Sequence, residues 1–341
     1  MKAIYIQKTG AADKAFEIKE TDIPNPSERE VCIQVKCFGL NFADVLARQG
    51  LYPDAPPIPS LIGYDVAGYV HSVGSQITKF KKGQRVTALT RFGGYAEYAT
   101  TMVEGVAVIP DNLDFPTATA LATQACTAYF CTDESVKLYE NDRVLIQAAA
   151  GGVGSIMVQI AKSKGCIVYG TASSKKQEFL KELGVDYPID YTKDNFVKVI
   201  KNSLGDYPGI DVAFDSIGGK SFKQAYQLLG PGGRLVFIGA ASQLKNGKSN
   251  IFNTIGMAAG FGIYSPIQLV MSSKALIGVN MLRIADNRPH VFQSVLNDVV
   301  ALWDKGIIKP HVGKVFSAED IGAAHSFLES RQSMGKVVCQ W

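Results

Sequence analysis

The chain has 341 residues, 47% of them apolar and 19% charged, with a formal net charge of +4. Its length exceeds one ordinary hydrophobic core and predicts two domains, and its composition excludes a disordered chain. The densest basic runs, Lys79-Phe80-Lys81-Lys82 and Lys175-Lys176, are too short for the basic stripe of a nucleic-acid surface, so no nucleic-acid partner is expected.

In chain order, Met1-Lys2-Ala3-Ile4-Tyr5-Ile6 is too short an apolar run for a signal peptide. The first part reads as β-rich, with strands predicted at 31–38, 66–73, 85–89 and 96–101 between Gly, Pro and Asn turns. Tyr52-Pro53-Asp54-Ala55-Pro56-Pro57-Ile58-Pro59 reads as a rigid loop, since each proline fixes its own φ and extends its predecessor. Pro116 marks a helix start. From 143 the pattern alternates. Apolar runs at 144–147, 167–169, 210–214 and 235–238 predict buried strands, and helices are predicted at 154–164, 175–183, 195–204 and 221–229. This alternation predicts a doubly wound parallel sheet, which a strand at 275–279 extends. A helix near 290–305, a strand near 312–316, a helix at 318–330 and a strand at 336–339 follow, and the last piece is expected to return to the β-rich domain.

Three stretches lack charge: 115–132, 144–161 and 249–273. The first two read as buried helix and strand. The third is long enough to span a bilayer, but Asn250, Asn253, Pro266, Gln268 and its glycines make it a poor span. It reads as core or a loop over a pocket, and no transmembrane segment is expected. The six cysteines contain no C-x-x-C pair. Cys32 and Cys37, and likewise Cys126 and Cys131, are spaced to diverge. No disulfide framework or zinc cluster is predicted, which fits a reducing cytoplasm.

Arg143-Val144-Leu145-Ile146-Gln147-Ala148-Ala149-Ala150-Gly151-Gly152-Val153-Gly154 reads as strand, glycine turn and helix. Gly151 permits the tight turn, Gly152 leaves room for a pyrophosphate, and Gly154 lets the helix pack on the strand. The helix N-terminus then offers N–H groups and a positive dipole end to phosphate. Ala149 holds the first glycine position, but the strand before the loop and the helix after it supply the confirming context for a dinucleotide site. Gly247-Lys248-Ser249 resembles the end of a Walker A loop, yet Ser242 stands where its first glycine is required, and it reads as a polar turn. After the second strand an NAD enzyme places an acid on the ribose 2′-OH. Here the chain reads Thr171-Ala172-Ser173-Ser174-Lys175-Lys176. Hydroxyls and ammonium groups suit a 2′-phosphate, so NADPH is the predicted cofactor, bound through Ala150, Gly151, Gly152, Val153, Gly154, Ser173, Ser174 and Lys175. Ser174 as a plain helix cap beside solvated lysines remains the alternative.

Gly39-Leu40-Asn41-Phe42-Ala43-Asp44, Gly50-Leu51-Tyr52-Pro53, Gly63-Tyr64-Asp65-Val66-Ala67-Gly68, the glycine loop and Gly335-Lys336-Val337-Val338 occur in order. With them the chain resembles the zinc-independent quinone oxidoreductase branch of the medium-chain dehydrogenase/reductase superfamily, over nearly its whole length. Ser265-Pro266-Ile267-Gln268-Leu269 and Asn280-Met281-Leu282-Arg283 are similar to the group containing the synaptic vesicle membrane protein homologues. The resemblance implies an α/β fold, a Rossmann doubly wound parallel sheet plus a β-rich GroES-like catalytic domain. The zinc enzymes of the superfamily carry Cys where Asn41 stands and Gly-His-Glu where Gly63-Tyr64-Asp65 stands, and Asn and Tyr are poor zinc ligands, so no metal is expected. The resemblance also implies that Asn41 points into the cleft beside the nicotinamide as a donor to the substrate oxygen. Tyr52 is a second donor or proton source, Asp44 orients the site or caps a helix starting at Val45, and Tyr64 replaces a ligand histidine or merely packs. From the residues alone Asn41 is a turn residue after a strand. Further implied cofactor contacts are Thr127, Tyr191, Phe237, Ile238, Gly239, Ser333 and Lys336.

The expected domains are 1–122 with 288–341 (GroES-like) and 123–287 (NADPH-binding). The expected function is NADPH-dependent, zinc-independent reduction of quinones or related enones by a cytoplasmic homodimer that pairs along the strand at 275–279. The alternatives are a 2-enoyl thioester reductase, or a nucleotide-bound protein with little turnover acting at a membrane surface or on RNA.

Overall fold

The computed structural model describes residues 1–239 and 259–341. The chain divides into two compact units: Met1–Cys126 with Met281–Gly306 and Pro310–Trp341, and Thr127–Asn280 with Ile307–Lys309. The first unit opens with eight strands: Lys2–Ile6 (β1), Phe16–Glu20 (β2), Glu30–Leu40 (β3), Ser60–Leu61 (β4), Asp65–Val73 (β5), Arg85–Leu89 (β6), Tyr98–Met102 (β7) and Val106–Val108 (β8). The second contributes Arg143–Ile146 (β9), Ile167–Ala172 (β10), Tyr187–Asp190 (β11), Ile210–Asp215 (β12), Leu229–Phe237 (β13) and Ala275–Gly278 (β14). The chain then returns to the first unit for Val312–Ser317 (β15) and Lys336–Gln340 (β16).

The β-rich unit is a sheet ordered β15-β16-β3-β5-β6-β8, with β7 also on β3 and a smaller sheet β2-β1-β4. The long β3 is its spine, antiparallel to β5, β7 and β16. Its apolar side chains Ile33, Phe38 and Leu40 are fully buried and share a core with Ile4, Val66, Tyr95 and Val337.

The other unit is a six-stranded sheet in the order β11-β10-β9-β12-β13-β14, parallel throughout. The chain winds outward from β9 in one direction through β10 and β11, then in the other through β12, β13 and β14. This reversal makes the carboxyl ends of β9 and β12 the switch point where such sheets hold ligands. The crossover helices include Gly152–Ser163, Gln177–Glu182, Phe196–Leu204 and Lys220–Leu228. Phe196–Leu204 starts at Asn195, whose side-chain oxygen accepts from the Val197 and Lys198 N–H groups and so satisfies two orphan donors.

Three elements differ from those the sequence predicts. β11 was not expected, because Tyr187-Pro188-Ile189-Asp190 is short and contains proline; β11 is an edge strand of its sheet, the place where a strand tolerates proline. β13 starts at Leu229, six residues before the predicted strand, although Gly230-Pro231-Gly232-Gly233 reads as a turn. Within the uncharged stretch 249–273, residues 249–258 lie outside the described residues, as does Gly247-Lys248-Ser249. The helix Pro266–Ser272 is core on one side only: Leu269, with Phe261 and Tyr264 before it, packs on the core of the parallel sheet, whereas Ile267, Val270 and Met271 are 76%, 79% and 83% exposed. No described helix is long and apolar enough to cross a membrane. All six cysteines are free and buried.

Candidate active site

In the β-rich unit three strand ends gather one polar cluster. The register places Gly39 of β3 opposite Asp65 of β5, and Leu40 opposite Val337 of β16, so Asn41, Asp65 and Lys336 become neighbours. Asn41 is 8% exposed and Asp65 and Lys336 are fully buried. The Asn41 Nδ2 donates to Asp65 Oδ2 at 2.7 Å, and Lys336 Nζ donates to Asn41 Oδ1 at 2.9 Å and to Asp65 Oδ2. Gln124 Nε2 also approaches Asn41 Oδ1, at 3.4 Å. The Lys336 side chain fits because residue 39 is glycine, where a Cβ would collide with Lys336 Cε and Nζ.

Asn41 also begins the helix Phe42–Arg48. This corrects the expected start at Val45. Asn41 is the N-cap and Asp44 sits at the third helical position, where its Oδ2 accepts the Asn41 backbone N–H at 2.7 Å. A carboxylate at that position reaches back to the chain before the helix, satisfying an otherwise orphan donor. Asp44 is fully buried, and desolvation pushes its carboxyl up to about 7, partly offset by the Asn41 N–H.

Tyr64 is 4% exposed, and burial drives its phenol far above the ordinary value. Its ring meets Tyr52 edge-on with centroids 6.5 Å apart and packs on Phe92 at 5.1 Å. Tyr52 is half-buried, and burial raises its phenol as well, with the Tyr64 hydroxyl acting in the opposite direction. Deeper in the unit, Tyr95 pairs its hydroxyl with His325 Nε2 at 3.2 Å. Both are fully buried. Burial, with the Arg48 charge adding to it, holds His325 neutral.

The nucleotide loop lies in the other unit. β9 is followed by Ala148 in a left-handed conformation (φ 52°), and the helix then starts at Gly152 with Gly151 as N-cap. At 154 a Cβ would run into the Ala148 carbonyl and the Ala149 Cα, so only glycine lets this helix pack so closely. The N–H groups of its first turn have no partner within the helix, which makes the end an anion cradle of the kind a pyrophosphate fits. Ser173, Ser174 and Lys175 follow β10, Tyr191 follows β11, Phe237 ends β13, and Ile238 and Gly239 follow it. Because the strands are parallel, all these segments stand on one carboxyl edge of the sheet. Ser173 is half-buried, Ser174 and Lys175 are exposed, and Tyr191 is 51% exposed. Thr127 is buried in this same unit.

The predicted residues thus form two groups. Asn41, Asp44, Tyr52, Tyr64 and Lys336 belong to the β-rich unit, with Ser333, which is 8% exposed. The glycine loop and the strand-end residues belong to the parallel sheet. Lys336, expected at the cofactor, has its ammonium engaged by Asp65 and Asn41. The sequence reading missed Asp65, Gln124, Tyr95 and His325. Asp65 had a signal, an acid opening an otherwise apolar strand, whereas the others look like ordinary core or helix residues until the fold brings them inward. It also missed an acid at the second-strand corner. Ala172 of β10 registers with Asp190 of β11, and Asp190 accepts from the Ser174 hydroxyl and from Thr192 Oγ1, the latter at 2.6 Å. These hydrogen bonds, that from Ser174 foremost, hold its carboxyl below the ordinary value.

A parallel sheet with a glycine loop at its switch point, carried with a β-rich unit of this topology, defines a two-unit dehydrogenase fold. Residues 27–111 match the alcohol dehydrogenase GroES-like domain model and residues 152–297 the zinc-binding dehydrogenase model. The human synaptic vesicle membrane protein VAT-1 homologue is 32% identical over 99% of this chain and 86% of its own length. Among solved structures, an Escherichia coli quinone oxidoreductase complexed with NADPH superposes with a TM-score of 0.87 at 26% identity, covering all of both chains. The CurK enoyl reductase superposes with a TM-score of 0.85 at 28% identity, over 99% of this chain and 98% of that one. The chain belongs to the medium-chain dehydrogenase/reductase superfamily, in its zinc-independent, quinone oxidoreductase-like branch with the VAT-1 homologues. It is accordingly an oxidoreductase of that superfamily.

Proposed function

We propose that the chain is an NADPH-dependent, zinc-independent reductase of quinones or related enones. The observation that carries this reading is the polar cluster: where the zinc enzymes of the superfamily place metal ligands, this chain has Asn41 and Tyr64, and a buried ammonium, Lys336, lies on Asn41. NADPH, when bound, supplies a hydride to the electron-poor carbon of the acceptor. The chain's own residues then have two tasks. The first-turn N–H groups of the helix Gly152–Ser163 hold the pyrophosphate, and Ser173 and Lys175 meet the 2′-phosphate. Asn41 offers an N–H to the oxygen that gains charge as the acceptor is reduced, which lowers the barrier without a Lewis acid. Tyr52, less buried than Tyr64, is the proton source that completes the product, and Asp44 orients Asn41 through its backbone N–H. A second reading, 2-enoyl thioester reduction, is favoured by the likeness to the CurK enoyl reductase. It uses the same hydride and the same donor. We further take the chain to be a cytoplasmic homodimer paired along β14, which ends its sheet.

Titration of intrinsic fluorescence will show NADPH binding at far lower concentration than NADH, and Lys175→Ala will remove most of that difference. Turnover of NADPH with 1,2- and 1,4-quinones will be insensitive to chelators. Equal affinity for the two nucleotides refutes the 2′-phosphate assignment. Loss of activity in EDTA with recovery in zinc refutes the metal-free chemistry. Tight NADPH binding without turnover of any quinone, enone or enoyl thioester refutes the reductase and leaves a nucleotide-bound protein.

A further inference from the structure

A fully buried ion pair is an expensive element in a β-sheet core. Two well-packed apolar side chains would be as stable or more so, while removing one partner alone strands a charge. Asp65 and Lys336 form such a pair, and Gly39 is kept free of a side chain so that the lysine can reach it. Their shared neighbour is the Asn41 carboxamide, and the chemistry of the pair dictates which way that amide faces. An ammonium has only donors and must face Oδ1, and a carboxylate has only acceptors and must face Nδ2. The assignment of oxygen and nitrogen therefore follows from the partners rather than from their similar shapes. Oδ1 takes Lys336 and Gln124, one Nδ2 hydrogen goes to Asp65, and one N–H of Asn41 is left over among the described residues.

We infer that Asp65 and Lys336 are positioning residues that lock the Asn41 carboxamide in one orientation, with a single N–H available to an oxyanion, and that the buried ammonium strengthens this donor by polarising the amide through Oδ1. The inference rests on the reading of Asn41 as the donor to the substrate oxygen. Hydrogen bonds in series polarise one another, and at low dielectric the effect is larger than in water. Lys336 pulls on Oδ1 while Asp65 balances its charge and fixes the other amide hydrogen, so the oxygen meets an oriented, polarised N–H with no cation in contact with it. The ligand class this serves is an oxygen that becomes anionic during reduction, an enolate or a hydroquinolate.

The test uses the full chain with Lys336→Gln, Lys336→Arg and the charge-neutral pair Lys336→Met with Asp65→Asn. Two measurements are read together: the Asn41 side-chain NH2 correlation in a 15N–1H spectrum, identified by its loss in Asn41→Ala, and steady-state kcat and KM with a 1,4-quinone. Lys336→Gln keeps a donor but removes the charge. It is expected to shift the Asn41 NH2 pair and to lower kcat roughly tenfold or more, in keeping with loss of a charged support behind an oxyanion donor, while leaving the fluorescence-measured NADPH affinity unchanged. Lys336→Arg keeps the charge and is expected to recover much of kcat. The charge-neutral pair is expected to keep the parental melting temperature and still show low kcat, a split that a merely structural ion pair does not produce. Should that pair misfold, Lys336→Gln alone still decides. An Asn41 NH2 pair unmoved in Lys336→Gln overturns the inference, as does a charge-neutral pair with parental kcat. If the parent reduces no quinone, enone or enoyl thioester, the reductase reading fails by itself; a shifted Asn41 signal in the variants then still supports the lock on the amide.

Discussion

The cluster around Asn41 and the glycine loop after β9 differ in the atoms they use. The loop presents main-chain N–H groups at the end of a helix, and its side chains matter by being small: at 154 a methyl would already collide with the strand end. The Asn41 cluster presents side-chain atoms, gathered from β3, β5 and β16, and the main chain serves only to bring them together. A main-chain site is written in one continuous stretch of sequence. A side-chain site of this kind is written in three places and exists only once the sheet has formed.

The two regions should therefore fail differently. The largest effect is expected on the main-chain side. Gly154→Ala pushes the helix off Ala148 and Ala149 and should weaken NADPH binding by at least about a hundredfold, since the phosphate cradle moves with the helix. Isothermal titration checks it, and near-parental affinity would mean that the loop does not depend on that close approach. An intermediate effect is expected in the side-chain region. Burial raises the Asp44 carboxyl to about 7, so the folded state favours its protonated form. For a raised carboxyl, the associated stability is fully present below the ordinary value near 3.8 and is lost as pH rises through about 7. Asp44→Asn should accordingly be more stable than the parent at pH 8, by an amount on the order of a few kcal/mol, with the margin shrinking towards pH 4. Urea unfolding across that range measures it, and a margin independent of pH would remove Asp44 from the titrating groups. The smallest effect is expected where the two kinds of site mix, at the corner after β10. Asp190 draws in the Ser174 hydroxyl and adds a negative charge where a 2′-phosphate would lie. Asp190→Asn should tighten NADPH relative to NADH by about twofold to fivefold, the size of a screened surface charge interaction. An unchanged ratio would detach that carboxylate from nucleotide choice.

How much of this could be read from the sequence follows the same division. The parallel sheet, its helices and the glycine loop were legible because each is a local pattern: apolar runs of strand length, caps, and small residues at a strand end. The resemblance of the Gly39 and Gly63 motifs pointed to Asn41, Asp44 and Tyr64. One signal misled. The acid-free stretch after Tyr169 implied an acid-free corner, but parallel pairing with β11 brings Asp190 to it. Nothing in Gly335-Lys336-Val337 shows that the Lys336 ammonium turns inward to Asp65. Likewise no periodicity shows that Tyr95 and His325, far apart in the chain, pair their side chains inside the first unit.

The glycine at 39 has one more consequence, for anyone who would redesign this protein. Rebuilding a catalytic metal here by placing cysteine at 41 and histidine at 64 would supply ligands but also set a dication near the fully buried Lys336 ammonium, where their repulsion is poorly screened. A designer would have to remove the lysine first, then fill the space its side chain takes beside Gly39, then find Asp65 a new counter-charge. The change from amide to metal is therefore one step in the list of ligands and several steps in the interior, and positions 39, 65 and 336 would have to change together.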